Sequence, residues 1–285
     1  MREIKKIGVI GAGIMGQGIA LVSAMNGYDV ILNDIGEEFV EEGIEKIEKF
    51  LGKSIEIGKI TEVERKRILS KIENTIKLED IKDCDFIIEA ISENIALKKE
   101  LFKKLDKICP KRVIFASNTS TISITELGLA TKRPEKFVGM HFFNPVPLMK
   151  LVEIVKGKRT SKETIKKVRE LAEKLGKTPL LVNDSPGFVS NRILFPMINE
   201  AIYCLMEGVA KKESIDEVMK IGMNHPMGPL ELADLIGLDI CLSILEELKR
   251  GFANKKYDPC PLLKKMVKKG YLGRKIGRGF YDYKE

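Results

Sequence analysis

The run Ile7-Gly8-Val9-Ile10-Gly11-Ala12-Gly13-Ile14-Met15-Gly16 decides how the rest of the chain is read. Ile7 to Ile10 has the apolar continuity of a strand buried on both faces, three glycines follow with GxGxxG spacing, and a helical pattern opens at Ile14. Each glycine has its own job in such a turn. Gly11 permits the tight passage from strand to helix, Gly13 leaves room for a pyrophosphate against the backbone, and Gly16 lets helix and strand pack closely. The helix N-terminus, with Ile14 and Met15 in its first turn, offers backbone N–H groups and a partial positive charge to phosphate. Tyr28 to Leu32 then reads as a second strand and delivers Asp34, about 20 residues beyond the glycines. An acidic side chain there accepts hydrogen bonds from ribose hydroxyls and repels a 2′-phosphate. NAD rather than NADP is therefore the expected cofactor, held by Gly11, Gly13, Ile14, Met15, Gly16 and Asp34. The bland alternative is a glycine turn beside a surface aspartate, and the strand, helix, strand framing weighs against it.

Composition narrows the class. A chain of 285 residues, 44% hydrophobic and 32% charged, has room for one large globular domain or two. No run approaches the roughly 20 apolar residues of a membrane span, and the start Met-Arg-Glu-Ile-Lys-Lys lacks the shape of a signal peptide. A cytoplasmic location away from membranes is expected. Cys84, Cys109, Cys204, Cys241 and Cys260 are scattered without metal-ligand spacing, which points to reduced structural thiols and no metal site. The net charge of +8 suits an anionic partner. Because basic and acidic residues are interleaved, that partner reads as a phosphorylated small molecule and not a nucleic acid.

Residues Glu37 to about Ser70 are rich in Glu and Lys, with Ile44, Ile47, Leu51, Val63 and Ile68 at helical intervals. Two helices joined around Gly58 are expected, an insertion standing off the sheet. From Asp85 strands and helices alternate. Phe86 to Ala90 reads as a strand, Leu97 to Ile108 as a helix stopped by Pro110, and Val113 to Ala116 as a strand running into Ser117-Asn118-Thr119-Ser120. This rhythm implies a parallel sheet covered on both faces, with ligands beyond the strands' carboxyl ends. Phe137 to Phe142 and Leu148 to Val155 both read as extended. The turn Asn144-Pro145-Val146-Pro147 between them is too short for a crossover helix, so they are expected to pair antiparallel at the sheet's end. A helix over 161–175 and a last strand from Thr178 to Val182 follow.

After Asp184-Ser185-Pro186-Gly187 the pattern is helical: Phe188 to Gly208, a helix opened by a capping box of Ser214 and Glu217, and a third from Pro229 to Gly251. The expected fold is α/β, a Rossmann-type, doubly wound, mostly parallel sheet with a helical-pair insertion over residues 1–184, plus an all-α domain over 185–285. Residues 193–206 are apolar nearly all round, with Pro196 among them. One neighbour cannot satisfy such a helix, so a homodimer interface is expected there, the central helix of a self-contained bundle being the alternative.

Only two histidines are present. His141 lies where its strand approaches the turn, and Glu153 lies on the expected partner strand. If the two face each other, the carboxylate fixes the imidazole tautomer, raises the basicity of the other ring nitrogen and stabilises the imidazolium, which suits a general base for an alcohol losing hydride. A core histidine beside a fortuitous glutamate is the alternative. His225, in Asn-His-Pro-Met-Gly-Pro, reads as a loop residue.

Several motifs together resemble a known family: Gly-Ala-Gly-Ile-Met-Gly at 11–16, Ala-Ser-Asn-Thr-Ser at 116–120, Gly-Met-His-Phe-Phe-Asn-Pro-Val-Pro at 139–147, Lys-Leu-Val-Glu-Ile-Val at 150–155, Asp-Ser-Pro-Gly-Phe-Val-Ser-Asn-Arg at 184–192, the run Asn224 to Asp239, and Gly-Arg-Lys-Ile-Gly-Arg-Gly-Phe-Tyr at 273–281. In this order over the whole chain they are similar to the 3-hydroxyacyl-CoA dehydrogenases, most nearly the short bacterial 3-hydroxybutyryl-CoA dehydrogenases. The resemblance implies NAD-dependent, reversible oxidation of (S)-3-hydroxyacyl-CoA to 3-oxoacyl-CoA, with His141 as acid/base and Glu153 as its partner. It implies that Ser120 contacts substrate and nicotinamide, that Asn191 holds the substrate carbonyl, and that Glu93, Lys98, Asn144 and Lys275 line the dinucleotide site. Lys53 corresponds to a CoA phosphate ligand, although the stretch from Gly52 to Lys59 departs from the family pattern. Read without the family, Lys98 and Lys275 would be solvated lysines. Two other classes remain: a dehydrogenase of a free hydroxy or sugar acid, and a non-catalytic NAD-binding protein.

Overall fold

The computed structural model describes residues 3–283. The chain divides between Asp184 and Ser185 into two compact units. The first is built on strands β1 (Lys6–Ile10), β2 (Asp29–Asn33), β3 (Ile72–Thr75), β4 (Phe86–Glu89), β5 (Ile114–Ser117), β6 (Phe137–Phe142), β7 (Leu151–Lys156) and β8 (Thr178–Asn183). They form one sheet in the order β3-β2-β1-β4-β5-β6-β7-β8. Every neighbouring pair is parallel except β6 with β7. The middle strands consist of fully buried residues such as Ile7, Val9, Phe86, Ile87 and Ile88, as a parallel sheet covered on both faces requires.

Helices α1 (Ile14–Met25), α2 (Glu37–Glu56), α3 (Glu62–Leu69), α4 (Ile95–Ile108), α5 (Ile124–Gly128) and α6 (Lys162–Lys174) connect the strands. The expected helical pair is α2 and α3, but it does not stand off the sheet. Val40, Ile47 and Leu51 of α2 are buried, and Ile47, Leu51 and Ile68 join the core under α1. The pair is the crossover that carries the chain from β2 to β3, an edge strand that the sequence pattern did not announce. β3 reads Ile-Glu-Asn-Thr and buries none of its residues fully, so it has no apolar signature. The antiparallel pair is not the last element of the sheet either. β8 continues it beyond β7, with Leu180 and Leu181 exposed on the edge.

The second unit is helical: α7 (Ser190–Met206), α8 (Lys212–Glu217), α9 (Pro229–Ile236), α10 (Leu238–Phe252) and α11 (Pro261–Lys268). Its core gathers Phe195, Ile198 and Ile202 of α7 with Leu230, Leu245, Leu263 and Phe280. Two expectations fail here. Ser214 does not cap a helix but lies inside α8, whose cap position is Lys211, and α8 runs on as a π-turn over Val218–Gly222. The single helix expected from Pro229 to Gly251 is two, broken at Gly237, whose φ of 108° no helix accommodates. Pro196 lies within α7, which also exposes Ile193 and Met206.

Asp216 and Asp234, both buried, fasten the chain's last described segment. Asp216 accepts from Leu230 N, Glu231 N and the Tyr281 hydroxyl. Asp234 accepts from Phe280 N, Tyr281 N and the Tyr283 hydroxyl, while burial raises its pKa against those donors. All five cysteines are unbridged thiols, and burial pushes Cys84 up to about 12 and Cys109 to about 11. No helix among the described residues is long and apolar enough to cross a membrane.

Candidate active site

Because β1, β4, β5 and β6 run parallel, their carboxyl ends share one edge of the sheet. The strand order reverses between β1 and β4, and a ligand's place in such a sheet is outside that point. Gly11 leaves β1 with φ 100°, and a Cβ there would lie 2.5 Å from the Ala90 carbonyl oxygen. A Cβ on Gly16 would lie 1.6 Å from the Gly11 oxygen, so packing of helix on strand dictates glycine at both positions. At Gly13 a Cβ would meet nothing within 4 Å. Protein packing gives no reason for glycine there, whereas a pyrophosphate lying against the backbone does. α1 begins with no side chain capping its N–H groups, which leaves its N-terminus suited to phosphate. Ile14 is exposed on that turn and Met15 packs against the core.

Asp34 follows β2. Its Oδ2 accepts from Ala12 N at 2.6 Å and its Oδ1 from Ile35 N at 2.7 Å, so the carboxylate is fixed beside the glycine turn. An open cavity of about 620 Å³ adjoins both, with Ile35, Phe39, Ile76, Leu78 and Leu97 among its apolar walls. Size and lining fit a planar base with its ribose on Asp34.

Beyond β4 and β5 lies a buried polar network. Glu89, the last residue of β4, is fully buried and receives Lys98 Nζ at 2.5 Å, Ser117 Oγ at 2.6 Å and Ile91 N at 2.7 Å. Burial raises the Glu89 pKa, with Lys98 and the hydrogen bonds pulling the other way. Lys98 is 1% exposed, which overturns the solvated alternative, and it also reaches Glu93 at 3.3 Å. One oxygen of Glu93 accepts from Thr119 Oγ1, Ser120 N, Thr121 N and Thr121 Oγ1. Burial works against the Glu93 charge, yet Lys98 and these donors outweigh it and hold its pKa below the ordinary carboxylate value.

On β6 and β7, His141 and Glu153 are direct cross-strand partners. His141 Nδ1 lies 2.8 Å from Glu153 Oε2, with both residues buried and the imidazole against the Phe143 ring at 4.6 Å. Glu153, as the carboxylate acceptor, places the proton on Nδ1 and makes Nε2 the basic nitrogen. The connecting loop carries Asn144, which is exposed, and the Asn144–Pro145 peptide is cis. Lys177 fastens this loop by donating to the carbonyls of Val146 and Met149, and burial lowers its pKa. Lys53 is exposed in the last turn of α2.

The remaining predicted residues belong to the second unit. Asn191 is buried in the first turn of α7, its N–H donating to the Gly187 carbonyl. Lys275 donates to both carboxylate oxygens of Asp239 at 2.6 Å, and against burial those hydrogen bonds and the Lys275 charge hold the Asp239 pKa down. The sequence reading missed Glu89, Lys177 and Asp239. Glu89 alone left a signal: a glutamate closing an otherwise apolar buried strand must find a cation or donors. Among the described residues no cluster of three or more His, Cys, Asp or Glu side chains could hold a metal.

Comparison with known proteins identifies relatives of the whole chain. A family model described as "3-hydroxyacyl-CoA dehydrogenase, NAD binding domain" matches residues 6–185, and one described as its "C-terminal domain" matches residues 187–283. The chain is 58% identical over 283 residues to a probable 3-hydroxybutyryl-CoA dehydrogenase of Bacillus subtilis, covering 99% of each. It is 50% identical over 278 residues to the 3-hydroxybutyryl-CoA dehydrogenase of Clostridioides difficile, covering 98% of this chain and 99% of the relative. Among solved structures, (S)-3-hydroxybutyryl-CoA dehydrogenase from Ralstonia eutropha superposes with a TM-score of 0.96 at 48% identity, covering 99% of this chain and 100% of that one.

Proposed function

The chain belongs to the 3-hydroxyacyl-CoA dehydrogenase family, and from that premise we propose that it interconverts short (S)-3-hydroxyacyl-CoA thioesters, 3-hydroxybutyryl-CoA first among them, with their 3-oxo forms. It is an NAD-dependent enzyme. NAD held there would supply a hydride acceptor for C3 in oxidation, and NADH the donor in reduction. The observation that carries the mechanistic reading is the 2.8 Å pair of His141 and Glu153. In oxidation, His141 Nε2 accepts the proton of the 3-hydroxyl. Glu153 holds the Nδ1 proton and stabilises the imidazolium, and in reduction the same nitrogen returns its proton to the 3-oxygen.

An oxygen that gains negative charge needs donors that are not themselves discharged by it. The Ser120 hydroxyl and the Asn191 amide are assigned that work, Asn191 toward the substrate carbonyl. Gly11, Gly13, Gly16, Asp34, Glu93, Asn144 and Lys275 are assigned to the dinucleotide, and Lys53 to a CoA phosphate. The second unit is proposed to associate with a second copy through the exposed apolar face of α7.

NADH-dependent reduction of acetoacetyl-CoA, followed at the NADH absorbance band, tests the reaction, and turnover of the free acid in place of the thioester would overturn it. His141→Gln should bind NADH as the parent does and lose about 10²-fold or more in kcat. Near-parental turnover in that variant would remove the imidazole from the mechanism.

A further inference from the structure

Resting on the dehydrogenase reading, we propose that Lys177 is a positioning residue for the reaction. By holding the carbonyls of Val146 and Met149 it seats the loop that carries Asn144 on α1, and so fixes the cofactor's side of the site relative to the hairpin of His141 and Glu153.

The lysine is rigidly mounted. α6 ends in a Schellman motif, in which Gly176 N, at φ 70°, donates to the Glu173 carbonyl and Lys177 N to that of Ala172. The next residue, Thr178, opens β8 and donates to the Lys150 carbonyl at 2.7 Å, where the loop rejoins the sheet. From this fixed corner the side chain crosses to the Val146 oxygen at 2.5 Å and the Met149 oxygen at 2.8 Å. Lys177 is 8% exposed, so an ammonium donating to two carbonyls is a costly fastening, and desolvation lowers its pKa. An apolar side chain would avoid that cost but would take these donors from both carbonyls.

Burial holds little of this loop: of residues 144–150, Val146 alone is buried. Its side chain rests on α1 at Gly18, where a Cβ would lie 2.8 Å from the Val146 Cβ. Val146 is therefore gripped twice, by α1 through its side chain and by Lys177 through its carbonyl. α1 is the helix whose N-terminus follows the glycine turn, so the grip ties that turn to the loop. Asn144, assigned to the dinucleotide, lies just before the grip, and His141 and Glu153 face each other at the base of the same hairpin. Slack at Val146 would therefore shift the cofactor's loop against the imidazole, and a misplacement of about 1 Å can cost about 10²-fold in rate.

The test compares Lys177→Met with Ile81→Ala, a truncation of a fully buried residue beside Gly8 and Cys84. Thermal melting reads stability, NADH titration counts binding sites, and kcat for acetoacetyl-CoA is taken per NADH site at saturating NADH, well below each Tm. Both changes should lower Tm. Lys177→Met should lose at least about tenfold in kcat per site, while Ile81→Ala, which does not touch the loop, keeps its kcat within about twofold of the parent. A loss smaller than about tenfold in Lys177→Met, or an equal loss in Ile81→Ala, would reduce Lys177 to a structural clip and overturn the inference. Should Lys177→Met not fold, Gly18→Ala carries the test, because its methyl displaces Val146 from α1 with Lys177 left intact. A kcat per site at least about threefold low is then expected, and any smaller loss refutes the inference. Absence of acetoacetyl-CoA reduction by the parent protein would fault the proposed function instead.

Discussion

At the residue scale, Asp34 is the side chain whose chemistry reads most directly into selectivity. Its two oxygens are oriented by Ala12 N and Ile35 N, so the carboxylate is fixed in place beside the cavity mouth. A carboxylate so held accepts from a ribose diol and repels a 2′-phosphate. Asp34→Ser should weaken NADH binding by about tenfold, the worth of one hydrogen bond to a charged group. Discrimination against NADPH should fall by at least as much, and paired fluorescence titrations with NADH and NADPH read both. An unchanged ratio of the two Kd values would show that Asp34 does not face the 2′ position. Asp34 was legible in the sequence because the β1–α1–β2 unit has a nearly fixed length. The partners of Lys98 were not, because Glu89 and Glu93 reach it only after α4 has folded back beside β4.

At the scale of elements, the loop from Ser117 to Thr121 joins β5 to α5 and hangs from Glu93. The Glu93 pKa is held below the ordinary 4.5, so its contribution to loop order is present above that value and lost only as pH falls through its own lower one. Hydrogen exchange at the Ser120 and Thr121 amides, corrected for intrinsic rates, should therefore keep its protection at pH 4.5 and lose it below. Protection fading at or above 4.5 would contradict the charge assignment. Elements with strong periodic burial, such as α2 and the central strands, could be read from the chain. β3 could not, since a polar edge strand owes its existence to the exposed rim of β2 and not to its own side chains. The break at Gly237 and the start of α8 before Ser214 were likewise settled by packing, which overrides local capping signals.

On the scale of the whole molecule, each unit closes a core of its own, and the second leaves apolar side chains outside it. Ile193 is 65% exposed, Ile221 79% and Met223 62%. Exposed apolar side chains of this size are suited to cover by a partner, and a second copy is the proposed occupant. Light scattering at micromolar concentration should return about twice the 32.1 kDa of one chain, and a monomer would dismiss the dimer. The amino-acid sequence by itself determined the class of the protein. Glycine spacing, strand and helix periodicity and a two-strand hairpin of fixed length are local properties, and they placed the cofactor turn, Asp34, and His141 opposite Glu153. Tertiary structure alone decided which buried charges meet, as Lys98 does with Glu89 and Glu93 and Lys177 with the carbonyls of the Asn144 loop. The reason is desolvation: a charged side chain taken from water must be matched by acceptors that other elements supply, and no spacing along one element records which element that will be.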